Sequence, residues 1–422
     1  MRHLLSLLLL LTFPLVYAQA ESPHSPVLRI GLDHSYRHST ILLLSCEQPF
    51  SLKDPISIHP LAHAAKRKIY KLTALPGGIG LARVDDLKDT PVAYGLAALN
   101  ALPGGAGFVK IARLDNQPFG SKGLLWHRYR GFITIRREAD GTLRVINTVP
   151  LEPYLYGVVP AEIGSNVPLE AMKAQAVAAR TYALKNRGKC GKDGFDLDDT
   201  THCEGYFGVD GETALSNAAV DDTRGQVLTY GGHLIDAPYS TDSGGVTACD
   251  TNGDCPYLCS VRDADPTDGR DYADTGKYHT WSQTFTAVQI AALLAKDTRT
   301  SVEKFVSLGL DGLDASGRVI RATVTGADGA QRTVTGPQLR QILGYDVLRS
   351  TRLTLTRAAD GSYRFDGRGW GHGLGMSQDG AVAMAAPHYH KTYLEILHHY
   401  YNGVVLATVD AISKQQTARR GL

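Results

Sequence analysis

Short apolar-rich runs of β-like character, set off by turn residues, mark the first third of the chain. The short runs 27–32, 40–45 and 68–73 carry this pattern. Leu75-Pro76-Gly77-Gly78 and Leu102-Pro103-Gly104-Gly105 punctuate it. Residues 21–120 are therefore predicted to form a small β-rich domain. A later segment alternates Phe132, Thr134 and Arg136 with Ile133 and Ile135. Ala139-Asp140-Gly141 turns it back into 143–147, a hairpin signature. The period then changes. Leu169, Met172, Ala176, Ala179 and Ala183 recur at three- and four-residue spacing, which predicts a core helix over 168–186. Pro168 suits its first position, Glu170 its first turn, and Lys185 and Arg187 its end before Gly188. Strands and loops return over 205–262, and Thr286 is a plausible N-cap for a helix at 287–294. Strands between 302 and 334, a helix at 336–343 and a last helix at 392–401 follow, with a flexible tail expected over 406–422. The expected class is α+β and β-rich, with a larger domain over 121–405.

One carboxylate stands out against this background. Glu162 follows Tyr154-Leu155-Tyr156-Gly157-Val158-Val159-Pro160-Ala161, which reads as an apolar, proline-flanked loop before the helix. Apolar surroundings disfavour the ionised carboxyl, so its pKa rises and it can donate a proton near neutral pH. The plain alternative is a first-turn or capping glutamate stabilised by a helix N-terminus.

Composition changes the picture mainly at the N-terminus. Arg2 and His3 precede an apolar stretch over 4–16 that Pro14 interrupts, and Ala18-Gln19-Ala20 is a small-x-small site. Residues 1–20 are thus expected to be a signal peptide, and the protein to be exported, periplasmic or extracellular. The stretch is short for a membrane span, and no later run approaches ~20 apolar residues, so no transmembrane anchor is expected. A formal charge of +2 argues against a nucleic-acid partner, which calls for a basic stripe.

Near the C-terminus Gly367-Arg368-Gly369-Trp370-Gly371-His372-Gly373-Leu374-Gly375-Met376-Ser377-Gln378 forms a glycine-rich loop leading into a helix. A phosphate-binding reading fails there, because the preceding β-α-β context and a phosphate-pairing lysine are missing. Five segments taken in order resemble the SpoIID/LytB family: 154–162, 173–182, 199–203, Ser243-Gly244-Gly245, and 371–378. The resemblance covers about residues 125–405. It implies a peptidoglycan-acting protein of the bacterial envelope with a glycan-binding cleft. The SpoIID branch comprises lytic transglycosylases that cut MurNAc-GlcNAc strands stripped of stem peptides and leave 1,6-anhydro ends. The LytB branch comprises enhancers of a cell-wall amidase. The resemblance places the catalytic glutamate at Glu162, with Arg180, Ser243, His372 and Gln378 as expected substrate contacts. A helix-surface salt bridge for Arg180, and loop carbonyls satisfied by His372, are the plainer alternatives. Where many family members carry Tyr, this chain has Asp379.

Six cysteines in an exported chain allow up to three disulfides in any of fifteen pairings. Some family members bind zinc through a histidine and a Cys-x-x-x-His-Cys segment. Here Cys190, Asp198, His202 and Cys203 stand at those positions and would make an acceptable tetrahedral zinc set. A Cys190–Cys203 disulfide competes, and the broken pattern and the export prediction favour it. Cys249, Cys255 and Cys259 share one loop, where a pair would stiffen a cleft wall.

Overall fold

The structure is a computed structural model that describes residues 25–57, 59–85, 88–115, 124–250 and 253–420. The expected signal peptide, 1–20, lies outside the described residues. A seven-stranded sheet contains β1 (Val27–Gly31), β2 (Phe132–Arg137) and β3 (Leu143–Pro150), so it draws strands from both sides of residue 120. The predicted hairpin is β2–β3, paired from Phe132↔Thr148 to Arg137↔Leu143. β1 closes antiparallel on β3. A six-stranded antiparallel sheet, with Ile41–Cys46 near its middle, faces it. Alternating residues of both sheets, among them Leu42, Leu44, Leu99, Ile133 and Val145, are fully buried in one core.

β3 passes directly into helix α1 (Leu151–Ile163). This corrects the expectation of a loop around Glu162. Pro153 falls in the first turn, where backbone N–H groups have no helical partner, so its ring costs little. Pro160 lies inside the helix and removes one hydrogen bond. Tyr154, Leu155, Val158 and Val159 are wholly buried, and their burial outweighs that loss. Helix α2 (Leu169–Lys185) follows. Its residues Ala171, Ala174, Ala176, Ala178 and Ala179 are all fully buried. Small side chains on every face let α1, the helix Ala214–Asp222 and two C-terminal helices approach it together. Ala174, Val177 and Ala178 belong to a second core with Met376, Ile396, Leu397 and Tyr400.

Strands β4 (Tyr239–Ser240) and β5 (Met376–Ser377) pair in parallel, so the chain leaves and returns at one place. Between them, residues 280–368 build a third core from Trp281, Val324, Leu339 and Phe365. Two three-stranded sheets and the helices Ala287–Leu294 and Gly336–Leu343 frame it. Thr286 caps the first of these helices, as its sequence predicted, and forms a full capping box with Gln289. Helix α3 (Gln378–Ala385) starts immediately after β5, with Ser377 as its N-cap. Where a tail was expected, Val405–Thr408 pairs with Gln226–Tyr230, and Val409–Arg420 is helical. Among the described residues no helix is long and apolar enough to cross a membrane.

Candidate active site

Glu162 occupies the last turn of α1, two residues before Gly164. The capping alternative required a helix N-terminus, so it does not apply. Unpaired carbonyls at the C-terminal end present negative partial charge, which disfavours a carboxylate. Burial pushes the Glu162 carboxyl above its ordinary range, and two donors offset part of that rise. The Gly205 N–H donates to Oε1. The Gln378 amide donates to Oε2 at 3.4 Å and lies 3.4 Å from the Gln175 carbonyl oxygen. α1, the 205 segment and the first residue of α3 thus converge on one carboxyl group.

A second carboxyl adjoins it, one that no sequence motif indicated. Glu204 is fully buried; Tyr239 donates to its Oε1 at 2.8 Å and Tyr154 to its Oε2 at 3.1 Å. Burial, reinforced by the charge of Glu162, pushes Glu204 up to about 8. Held by two tyrosines and wholly buried, Glu204 presents no surface to a substrate.

The remaining expected contacts divide sharply. Arg180 is fully buried and grips Glu152 with two bonds, Nε to Oε1 at 3.0 Å and Nη2 to Oε2 at 2.7 Å. Its expected role as a substrate contact is therefore corrected: it ties α2 to the first turn of α1 and has no exposed surface. Ser243 is also buried. Its Oγ donates to Asp263 at 2.6 Å and accepts the Gly245 N–H at 3.1 Å, so it too faces inward and not a ligand. The adjoining glycines serve protein packing, since a Cβ at Gly244 would stand 2.7 Å from the Arg368 carbonyl oxygen. His372 is exposed, and its Nδ1 accepts the Leu374 N–H at 3.0 Å, which is the plainer, loop-satisfying role. Of the four expected contacts, Gln378 is the one that meets Glu162.

Cys190, Asp198, His202 and Cys203 do come together, each offering one donor atom with all four atoms within 4.8 Å of one another. The two sulfurs are separate thiols 3.9 Å apart. Cys190 Sγ lies 3.7 Å from Asp198 Oδ2, and Cys203 Sγ lies 3.7 Å from His202 Nδ1. Metal–sulfur bonds of ~2.3 Å at tetrahedral angles put two sulfurs roughly 3.8 Å apart, so this donor set fits zinc. Cys203 immediately precedes Glu204 and Gly205, so the cluster sits at the base of the segment that contacts Glu162.

Residues 139–230 match the family model described as stage II sporulation protein, SpoIID. The chain is 31% identical over 300 residues to stage II sporulation protein D of Bacillus subtilis, an alignment covering 65% of this chain and 79% of that one. This chain belongs to the SpoIID family. An uncharacterised protein of Brachyspira hyodysenteriae is 33% identical over 283 residues, 65% of this chain and 72% of its own. The amidase enhancer of Bacillus subtilis is 32% identical over 293 residues, which is 60% of this chain and 40% of the enhancer. Residues 253–375 match a second model, a domain of unknown function. Glu162, the four-donor cluster and Glu204 all fall in the SpoIID match. Gln378 lies beyond both matched segments, and the return through β5 brings it to the site.

Proposed function

We propose that this SpoIID-family protein is an exported lytic transglycosylase that cleaves MurNAc-GlcNAc strands, preferring those stripped of stem peptides. The observation that supports this reading is a single carboxyl, Glu162, its pKa raised by burial, accepting from Gly205 and Gln378 at the junction of three elements. Glu162 gives its proton to the glycosidic oxygen as the C1–O bond breaks. The resulting carboxylate takes the proton of the muramyl C6 hydroxyl as O6 bonds to C1, which closes the 1,6-anhydro ring and restores the acid. Ordinary glycosidases need a second carboxylate to activate water or form a covalent intermediate. Glu204 is too buried for either task, which agrees with an intramolecular hydroxyl as nucleophile. Glu162→Gln should abolish the appearance of anhydro ends, by mass spectrometry, when purified protein digests denuded strands. Wild-type rates in that variant would overturn the reading.

A second reading follows from the relative named amidase enhancer: a non-catalytic peptidoglycan-binding activator of an N-acetylmuramoyl-L-alanine amidase. It predicts no anhydro products from this chain alone, and faster stem-peptide release when the chain is added to such an amidase.

We infer that Cys190, Asp198, His202 and Cys203 hold a structural zinc ion, because four donors converge where a disulfide needs two. When bound, zinc would brace the turn leading to Glu204 and Gly205. About one zinc per chain by elemental analysis, with both thiols titratable after chelation, is the expected result. A zinc-free protein with neither thiol titratable would establish the disulfide.

A further inference from the structure

A cavity of about 570 Å³ opens where the N-terminal β-rich part meets the segment after Gly205. The proton chemistry at Glu162 makes no use of it. Its wall is aromatic: Tyr36 meets His127 and Tyr129 edge-on, with centroids 6.2 and 6.4 Å apart, and His34 tilts against Phe207 at 6.3 Å. Tyr36 and Tyr129 are buried, whereas Phe207 remains 47% exposed and within reach of a ligand.

The arginine and the two carboxylates lining the cavity are already committed. Arg113 bonds Asp115 and the Arg37 carbonyl. Asp115 also accepts the Thr40 and Ile41 N–H groups. Asp210 accepts from both the backbone and the guanidinium of Arg128. Burial holds the His127 imidazole below its ordinary pKa, which keeps it neutral at physiological pH. A wall of ring faces with its charges paired suits a neutral, hydroxyl-rich ring that stacks through its C–H face. It offers no uncommitted arginine, lysine or carboxylate to a stem peptide. One short segment links the cavity to the acid. Gly205 bonds Glu162, and Phe207 is two residues farther along, its Cα at most about 7 Å from that of Gly205.

We propose that this cavity is a subsite for an N-acetylglucosamine ring of the glycan strand, with Phe207 as the stacking platform. It would grip the strand away from the bond being cut. The inference rests on the glycan reading of the substrate. His34, Tyr36, Arg113, Asp115, His127 and Tyr129 lie outside the 139–230 match, so the part of this chain before residue 139 supplies most of the subsite.

The test is calorimetric titration of chitotetraose, four linked N-acetylglucosamine units, into the whole chain and its variants. Saturable binding is expected in wild type and in Glu162→Gln alike. Phe207→Ala should bind about tenfold more weakly, and Phe207→Trp should restore affinity. A free stem tetrapeptide should not compete. Circular dichroism would check that each variant is folded. No binding to wild type, undiminished binding to folded Phe207→Ala, or displacement by the tetrapeptide would each overturn the subsite. Binding is read in the Glu162→Gln variant as well, so its failure is distinguishable from failure of the catalytic reading. Oligosaccharide binding without anhydro products would remove the catalytic reading and leave the subsite standing.

Discussion

Carboxyl groups around the site differ in what surrounds them, and that difference decides their roles. Glu162 has an amide and a backbone N–H as partners, Glu204 has two tyrosines, and Asp379 faces another carboxylate. A Cβ built at Gly276 would stand 3.2 Å from Asp379 Oδ2 and 3.4 Å from Asp242 Oδ2, so both carboxylates border one small residue. Burial first, then the Asp242 charge, pushes Asp379 up to about 6. A carboxyl whose pKa is higher folded than unfolded favours folding while protonated, and that contribution disappears as pH rises through the folded value. Asp379 therefore costs stability above its window of roughly pH 4–6, by about 2 kcal/mol after allowance for its partial exposure. Asp379→Asn should match wild type in urea denaturation near pH 4 and exceed it by about that amount at pH 8. Equal stability at pH 8 would show that the carboxylate is well solvated there. Glu162 and Gln378 were legible in the sequence because each sits inside a recognisable motif. Glu204 was not, because its partners Tyr154 and Tyr239 lie 50 and 35 positions away and local spacing carries no trace of them.

At the scale of elements, the sequence was most readable where one local rule acted alone. The β2–β3 hairpin follows from alternation and an Asp-Gly turn, and the Thr286 cap follows from side-chain chemistry. α1 was misread as a loop because two prolines and a glycine outvoted it locally, while its stability comes from burial against distant sheets. The same long-range logic governs Arg180. Its guanidinium joins Glu152 in α1, the Val220 carbonyl and the Gln226 carbonyl, so one side chain ties α2 to three other segments. Removing one partner of a buried ion pair strands the other charge, which typically costs roughly 3–5 kcal/mol. Arg180→Ala should lower unfolding stability by that amount, read as a fall in the urea midpoint. A cleft-facing arginine would instead leave the midpoint unchanged and raise KM. The milder Arg180→Lys, which loses the two-pronged contact with Glu152, should fall between wild type and Ala in stability and retain its KM for denuded strands.

For the whole molecule, the arrangement of cores decides which parts unfold together. The first two cores share α2, with Ala176, Ala179 and Ala183 facing one and Ala174, Val177 and Ala178 the other, so loss of α2 dissolves both. The third core, built over 280–368, contains no residue of either. It enters and leaves on adjacent strands, since Thr280 pairs with Arg368. Its link to the rest is mainly polar: Arg318 donates to the Ser243 and Val246 carbonyls. Polar contacts of this kind orient a unit without merging its hydrophobic core with its neighbours, so local opening can stop at the boundary. Leu339→Ala, which opens a cavity in the third core, should cost roughly 2–5 kcal/mol. Amide hydrogen exchange should then accelerate over 280–368 while α1 and α2 keep wild-type protection. Met172→Ala should do the reverse, exposing α2 together with the sheets packed on it and leaving the Gly336–Leu343 helix protected. Uniform acceleration in both variants would mean that the three cores open as one, and that Gln378 cannot be released from Glu162 without global unfolding. Separate opening would instead leave the contact between Gln378 and Glu162 intact while the third unit opens, because α3 and α1 both pack on α2.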